Sequence, residues 1–223
     1  MADFRTHLGV AAIGGAVLAH GGWQVGLWDP WQGAAVFALV AFGGILPDID
    51  ADSSKAIRLI FNLLAVPSVV AGALLLQSRL APGHLLVVCG ALYLVVRYLA
   101  GGVFSRFTVH RGIWHSQLAA VLCGLAATAL SYQLLDQPAR LAWVHGIAVS
   151  LGFVIHLLLD EIYSVDLTGA RMKRSFGTAM KPFVLKSPGN SVAMLTAGIA
   201  LLPWLPPWPL FVGLLTQGVA LWR

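Results

Sequence analysis

Long, unbroken apolar runs are the feature that most constrains the fold of this chain. They recur along nearly all of its 223 residues, and only 10% of these residues are charged, against about 25% in an average soluble domain. A soluble fold with so few charges could not cover its core, whereas in lipid every backbone polar group must be satisfied inside a helix or a closed barrel. Because the runs lack the alternation of barrel strands, the sequence predicts an all-α, polytopic membrane protein.

Eight apolar segments are visible, and each can be compared with the roughly 20 residues that a helix needs to cross the hydrocarbon core. The third to sixth are long enough. The last two are short and are separated by a break rich in proline and tryptophan, so we expect six to eight helices in a single membrane-embedded domain, residues 1–223. The segments cover 8–26, 31–47, 57–77, 82–104, 114–135, 140–163, 190–203 and 207–222.

The basic residues are distributed unevenly about the predicted topology. If the segments cross alternately, eleven Lys and Arg residues share the side of the N-terminus, and the opposite side holds only Arg79 and Arg140. The positive-inside rule then places both termini in the cytoplasm. An aromatic belt is expected at the opposite face, and its predicted members are Trp28, Trp31, Trp204 and Trp208.

Three aspartates occupy alternate positions at the end of the second segment: Asp48, Asp50 and Asp52. Carboxylates this close repel one another unless a cation or a basic group is nearby. Asp52 is interpreted as a helix cap for the third segment, whereas Asp48 and Asp50 are candidate metal ligands. The pattern is not an EF-hand, because the glycine at its sixth position and the terminal glutamate are missing.

Two groups of histidines lie near the fifth and sixth segments. His110 and His115 flank Arg111; imidazole is the commonest transition-metal ligand, and a guanidinium can hold a phosphate bidentately. In the sixth segment, His156 and Asp160 are four residues apart and share one helix face. Both side chains can therefore reach one ion, although a buried His–Asp hydrogen bond would give the same pattern.

The predicted topology brings these residues to the cytoplasmic ends of their segments, together with His7, whereas His20, His84 and His145 lie near the opposite face. Mixed His and Asp donors suit Zn²⁺, Mn²⁺ or Fe²⁺ better than Ca²⁺. The candidates are too many for one tetrahedral ion, so one or two ions are expected. The candidate metal ligands are His7, Asp48, Asp50, His110, His115, His156 and Asp160.

The loop after the sixth segment carries five basic residues between positions 171 and 186. Two interpretations remain open: contact with anionic lipid headgroups, or a clamp for a phosphate-bearing substrate formed by Lys173 and Arg174. Membrane topology accounts for the net charge of +5, so membrane lipids are the expected partners and nucleic acid is not.

Four short fragments occur in this order along the chain: Thr6-His7-Leu8, Leu46-Pro47-Asp48-Ile49-Asp50, His110-Arg111-Gly112 with His115-Ser116, and His156-Leu157-Leu158-Leu159-Asp160. With these fragments the chain resembles the YdjM-like family of bacterial inner-membrane proteins, which are described as predicted membrane-bound metal-dependent hydrolases. The resemblance implies a bacterial inner-membrane location and a site formed by the seven candidate ligands. One departure is Trp114, where a smaller residue such as Thr is expected; its ring would narrow the site.

The leading hypothesis is a metal-dependent hydrolase that cleaves an ester or phosphoester, such as that of a lipid, at the cytoplasmic leaflet. Asp50 and His115 would act in acid–base roles, and Arg111, Lys173 and Arg174 would stabilise developing negative charge. A bound divalent metal lowers the pKa of water to about 7, so no protein nucleophile is required.

Two alternatives remain open: a transporter or metal-binding channel, and a non-catalytic membrane scaffold. A CDP-alcohol transferase is disfavoured because its D-x-x-D-G pattern, followed by A-R and further aspartates, is missing from the sequence.

Overall fold

The computed structural model describes residues 3–50, 55–103, 113–166, 171–172, 177–178, 180–184 and 188–220. Regular structure in these residues is helical, apart from a two-residue antiparallel ladder that pairs Val165 with Met172 and Asp166 with Arg171. The all-α prediction is therefore confirmed. The chain divides into two compact units, one formed by Met1–Pro47 with His115–Arg223 and the other by Asp48–Trp114. The single-domain prediction remains a prediction.

Each of the eight predicted apolar segments contains a helix within the described residues. Two short 3₁₀ helices, Leu46–Asp50 and Leu202–Trp204, accompany them. The eight helices are α1 (Phe4–Gln24), α2 (Pro30–Gly43), α3 (Lys55–Leu76), α4 (Pro82–Leu94), α5 (Gln117–Gln133), α6 (Ala139–Ile162), α7 (Pro188–Leu201) and α8 (Trp208–Ala220).

Fewer of these helices than expected have the length and composition of a membrane span. Three described stretches qualify, namely Ile57–Leu76, Pro82–Val103 and Ala139–Ile162, and α7 with α8 would form a fourth span bent by 101°. The shorter apolar helices α2 and α5 have 14 and 17 residues. The third, fourth and sixth segments are thus confirmed as candidate spans. The prediction of up to eight crossings and the predicted cytoplasmic position of the termini are not confirmed.

The second unit is built on an α3–α4 pair. Helix α4 continues through a π-helical stretch at Val95–Ala100 that also packs on α3. A polar contact joins the pair, since the Tyr93 hydroxyl donates to Oδ1 of Asn62 at 3.4 Å. Only 17% and 6% of the two span windows are buried. Such apolar, largely uncovered helices are suited to contact with lipid.

Helix α6 is the centre of the first unit and packs against α1, α2, α5 and α8. Its approach to α2 is close enough to require glycine: a Cβ at Gly152 would overlap the Val40 carbonyl, and one at Gly43 would overlap the Val149 carbonyl. A helix that is apolar all round is suited to such a buried position. The backbone of α2 is consequently held directly against α6.

Trp28 differs from its predicted role in an aromatic belt. It is 8% exposed, lies in a core cluster with Val36, Val40 and Leu141, and donates from Nε1 to the Ala19 carbonyl at 2.9 Å. The belt prediction is wrong for this residue because its ring fills the space beside Gly22 and Gly33. Trp31, Trp204 and Trp208 are exposed.

Candidate metal centre

Four of the predicted ligands meet in the first unit: His7, His115, His156 and Asp160. Each is at most 1% exposed. They come from the first turn of α1, the residue before the N-cap of α5, and the last two turns of α6. Three imidazoles and a carboxylate are therefore buried together, although they are as far apart as 153 positions in the sequence.

His7 is positioned by the N-terminal cap of α1. The Asp3 carboxylate accepts hydrogen bonds from the backbone N–H and the side-chain hydroxyl of Thr6, at 2.8 and 2.6 Å. The hydroxyl bond, followed by the backbone bond, lowers the pKa of Asp3. An aspartate cap of this kind fixes where the helix begins, and so it sets which residue of the first turn faces the cluster.

His156 is oriented by a backbone carbonyl. Its Nδ1 lies 2.8 Å from the carbonyl oxygen of Gly44, and because a carbonyl can only accept, Nδ1 carries the proton. The other nitrogen, Nε2, then presents a lone pair toward the cluster. Metal-binding histidines are held by the same kind of outer hydrogen bond. The close α2–α6 packing through Gly43 and Gly152 brings the Gly44 carbonyl to this position.

His115 is fixed by the start of α5. The Ser116 hydroxyl caps the helix by accepting from the Ala119 N–H at 3.2 Å. The next two N–H groups, of Gln117 and Leu118, donate to the carbonyls of Lys181 and Pro182 at 3.0 and 3.2 Å. The backbone at Lys181 and Pro182 thus docks against the first two residues of α5, next to His115.

Asp160 lies between two imidazoles at distances longer than those of strong hydrogen bonds. Its Oδ1 is 3.3 Å from Nε2 of His7, and its Oδ2 is 3.8 Å from Nε2 of His115. Charge-assisted N–H···O bonds are about 2.7–2.9 Å long. These N···O distances are therefore longer than those in a tight His–Asp ion pair. They suit ligands that surround a shared position.

The stacking of two rings limits the charge on the histidines. The rings of His7 and His156 are parallel within 10° with centroids 3.6 Å apart. Two protonated rings at that distance would repel by about 5 kcal/mol at an effective dielectric constant of 20. Simultaneous protonation of both rings is therefore disfavoured. A buried carboxylate is costly unless a positive charge offsets it.

The residues fit a divalent transition metal. Ligand atoms of His7, His156 and Asp160 all lie within 4.8 Å of one another, and Nδ1 of His7 is buried with no hydrogen-bond partner among the described residues. Nitrogen and carboxylate donors of this kind suit Zn²⁺, Mn²⁺ or Fe²⁺. The core of the candidate metal site is therefore formed by four of the predicted ligands: His7, His115, His156 and Asp160.

The remaining predicted residues belong to the second unit or lie outside the described part of the chain. Asp48 is half-buried and begins the second unit, and its role as a ligand stays a prediction. Asp50 ends the 3₁₀ helix Leu46–Asp50, but its side chain lies outside the described part of the chain. The residues His110, Arg111, Lys173 and Arg174 also lie outside the described residues.

One contributor was missed by sequence reasoning, the Gly44 carbonyl that orients His156. The pair Gly43-Gly44 was the available signal for it, because adjacent glycines at the end of a segment allow close backbone approach. His145, which we expected to have no ligand role, is buried elsewhere on α6, and its Nδ1 lies 2.7 Å from the Ser131 hydroxyl.

Comparison with known families agrees with the motifs around these residues. The family model described as YdjM inner membrane protein matches residues 1–172. This match covers more than half of the chain. The chain belongs to the YdjM inner membrane protein family.

Membership of the YdjM family identifies an inner membrane protein, as the apolar helices also indicate. The YdjM match includes α1 to α6 and all four core residues of the cluster, whereas α7 and α8 follow it. Searches of the curated proteins and of the solved structures give no significant match.

Proposed function

We propose that this protein is a metal-dependent hydrolase that cleaves a phosphoester at the cytoplasmic face of a bacterial inner membrane. The observation that carries the proposal is the buried Asp160 carboxylate, placed 3.3 and 3.8 Å from two imidazole nitrogens and beside a third ring. A divalent cation among these groups would offset the charge of the carboxylate, and it would supply Lewis-acid activation of a phosphoryl oxygen and of water.

The candidate residues would act as metal ligands or as a general base according to their positions. His7, His156 and Asp160 would hold the ion, with Asp48, Asp50 and His110 as further ligands indicated by the sequence. His115, which precedes a helix and lies 3.8 Å from the Asp160 carboxylate, is the candidate general base. Water would add its oxygen to phosphorus, the bond from phosphorus to the leaving oxygen would break, and the departing alcohol would receive a proton.

A phosphoester is favoured over a carboxylic ester by the basic loop. Lys181 is held beside the first residue of α5, and the sequence adds Arg111, Lys173 and Arg174 as candidate phosphate contacts. Cations next to a transferring phosphoryl group stabilise the charge that develops on it. A site supplied with several basic residues would bind an anionic substrate more strongly than a neutral one.

Hydrolysis by the purified protein tests the proposal. Wild type, Asp160→Asn and Glu161→Gln are reconstituted in vesicles and assayed on a phospholipid and on bis-(p-nitrophenyl) phosphate, before and after chelation and return of Zn²⁺ or Mn²⁺. Glu161 is the matched control, because it is the neighbouring carboxylate on α6 and accepts from the Gly177 N–H instead.

We expect chelation to abolish activity and returned metal to restore it. Asp160→Asn should lower the rate by about 100-fold or more, since residues that only orient metal ligands already contribute up to about 100-fold, while Glu161→Gln should retain most of it. Metal-loaded wild type that hydrolyses neither substrate, or an Asp160→Asn variant as active as wild type, would overturn the proposal.

A further inference from the structure

Helices α7 and α8 follow one another at a sharp angle. Their axes turn by 101° across a short break. Leu205, in this break, has the extended backbone angles φ −84° and ψ 152°. Proline lacks the N–H that would continue a helix, and it favours an extended residue before it. The angle is therefore explained by the prolines of the break, which are Pro203, Pro206, Pro207 and Pro209.

The direction of α7 is set by its packing on α5. A Cβ at Gly198 would lie 4.0 Å from the Cδ1 atoms of Leu122 and Leu125. Farther along both helices, the Gln133 side chain donates to the Trp204 carbonyl at 3.0 Å. Later residues of α7 thus meet later residues of α5, so the two helices run in the same direction. Because α5 begins beside the candidate metal centre, α7 runs away from that centre.

Helix α6 gives the direction of the membrane normal. It is antiparallel to α5, since Ser150 donates to the Ala120 carbonyl near the start of α5 and His145 meets Ser131 near its end. The stretch Ala139–Ile162 is a candidate span, and α5 and α7 lie along it. The turn of 101° therefore directs α8 across these helices, close to the plane of the membrane.

The position of α8 agrees with this direction. The rings of Trp208 and Phe211 lie 4.9 and 4.8 Å from the ring of Trp143, and Nε1 of Trp143 donates to the Pro207 carbonyl at 3.4 Å. Trp143 is near the start of α6, whereas the candidate ligands of α6 are near its end. Helix α8 thus begins at the end of α6 that is farther from the cluster.

The length and the surface of α8 suit the membrane interface. Its 13 residues rise about 20 Å, which is short of a hydrocarbon core about 30 Å thick. The 14 residues of α7 and the three of the next 3₁₀ helix extend for about 27 Å. Val212 and Leu215 are 55% and 49% exposed. Trp204 and Trp208 are also exposed, as expected of tryptophans at a membrane–water interface.

We propose that α8 is a membrane-interface helix, which lies along the leaflet opposite to the cluster with its exposed apolar face against lipid. The last two apolar segments then make one crossing, through α7, instead of the two that alternate crossing requires. Thr216 consequently lies on the face opposite to the one on which alternate crossing places the end of α8. The placement is independent of the proposed function, because the contacts that carry it involve none of the cluster residues.

Depth measurements along the two helices test this placement. Nitroxide labels are attached to single cysteines in a chain without its two native cysteines, reconstituted in vesicles of phosphatidylethanolamine and phosphatidylglycerol. Power saturation with oxygen and a nickel chelate gives the depth of each label. The label pairs are Val192→Cys with Ile199→Cys on α7, and Pro209→Cys with Thr216→Cys on α8; all four positions are exposed. Each pair is seven residues apart and covers about 10 Å of one helix face.

We expect the α7 pair, which is the matched control, to differ in depth by about 10 Å. The α8 pair should differ by no more than about half of that, even if α7 tilts by about 20°, and Val212→Cys between them should lie at the same level. A difference of about 10 Å along α8 would show that this helix crosses the bilayer and would overturn the proposal. A label at Leu202→Cys in the bilayer centre would overturn it too, because the break would then lie inside one bent span.

Cysteine accessibility then identifies the face. Leu135→Cys lies in the loop between α5 and α6, and Asn190→Cys lies at the start of α7; both positions are exposed. A membrane-impermeant maleimide is applied to intact and to permeabilised spheroplasts. We expect Thr216→Cys to react under the same condition as Leu135→Cys and not as Asn190→Cys. Reaction of Thr216→Cys together with Asn190→Cys would place the end of α8 on the side of the cluster and overturn the proposal. The Tm of each variant confirms that it is folded.

Discussion

At the scale of single residues, two buried histidines on α6 differ in how their protons are fixed. The Gly44 carbonyl next to His156 can only accept a hydrogen bond, so it determines which ring nitrogen is protonated. The Ser131 hydroxyl next to His145 can donate or accept, so either form of the ring fits. The Nε2 atom of His156 is thus held as a lone-pair donor toward the cluster. His145 instead forms a polar link between α5 and α6.

The Ser131–His145 link is expected to stabilise the fold without affecting the metal centre. Ser131→Ala removes the partner of Nδ1 at 2.7 Å, and leaving a buried polar atom unsatisfied costs about 1–3 kcal/mol. Thermal unfolding in detergent should show a lower Tm for Ser131→Ala and unchanged metal content.

The control is Thr216→Ala, whose exposed hydroxyl donates to the Gly213 carbonyl of its own helix; its stability should stay within about 0.5 kcal/mol of wild type. Equal effects of the two variants would contradict the assignment of a stabilising role to Ser131.

The sequence predicted the side chains of the cluster better than the backbone groups that orient them. His156 and Asp160 were evident from their spacing, and His7 and His115 from motif and topology. The carbonyl that holds His156 lies 112 positions away at Gly44, and any residue type carries a carbonyl. Only the tertiary packing of α2 on α6 therefore reveals it.

At the scale of elements, the α2–α6 contact connects packing with the candidate site. In Gly152→Ala, the new Cβ would overlap the Val40 carbonyl and come close to the Gly44 nitrogen, so the helices must move apart. Overpacking of this kind costs about 1–3 kcal/mol. We expect a lower Tm and weaker metal binding, because the Gly44 carbonyl moves away from His156.

Gly213→Ala on α8 is the control for that substitution, since its Cβ meets nothing within 4 Å. Replacing glycine by alanine inside a helix gains about 0.5–1 kcal/mol, so the Tm of this variant should be unchanged or slightly higher. A Gly152→Ala protein with wild-type Tm and wild-type metal affinity would show that the close approach is not needed.

Helix boundaries were predicted less well than helix positions. The fifth segment was expected at 114–135, but α5 begins at Gln117 because Ser116 caps it. The second was expected to continue to Pro47, but α2 ends at Gly43 and the chain turns into a 3₁₀ helix. Apolar runs include residues of turns and short 3₁₀ helices that are buried by tertiary packing, such as Ile45 and Leu46, so hydropathy alone overestimates span length.

At the scale of the whole molecule, the proposed topology predicts which loops face the cytoplasm. Ser78 follows α3 and Thr178 lies in the basic loop, and both are exposed. After removal of Cys89 and Cys123, a membrane-impermeant maleimide applied to intact spheroplasts should label Ser78→Cys. It should label Thr178→Cys only after the membrane is permeabilised. The reverse pattern would place the basic loop, and the site beside it, on the other side.

Metal content of the purified protein tests the central claim most directly. Wild type, His156→Ala and His145→Ala are purified in mild detergent, reconstituted with Zn²⁺ or Mn²⁺, and measured for metal per chain; the two histidines are both buried on α6. We predict about one or two equivalents in wild type and His145→Ala, and almost none in His156→Ala. Wild type that binds no metal, or a His156→Ala variant that binds as much as His145→Ala, would contradict a metal centre at this cluster.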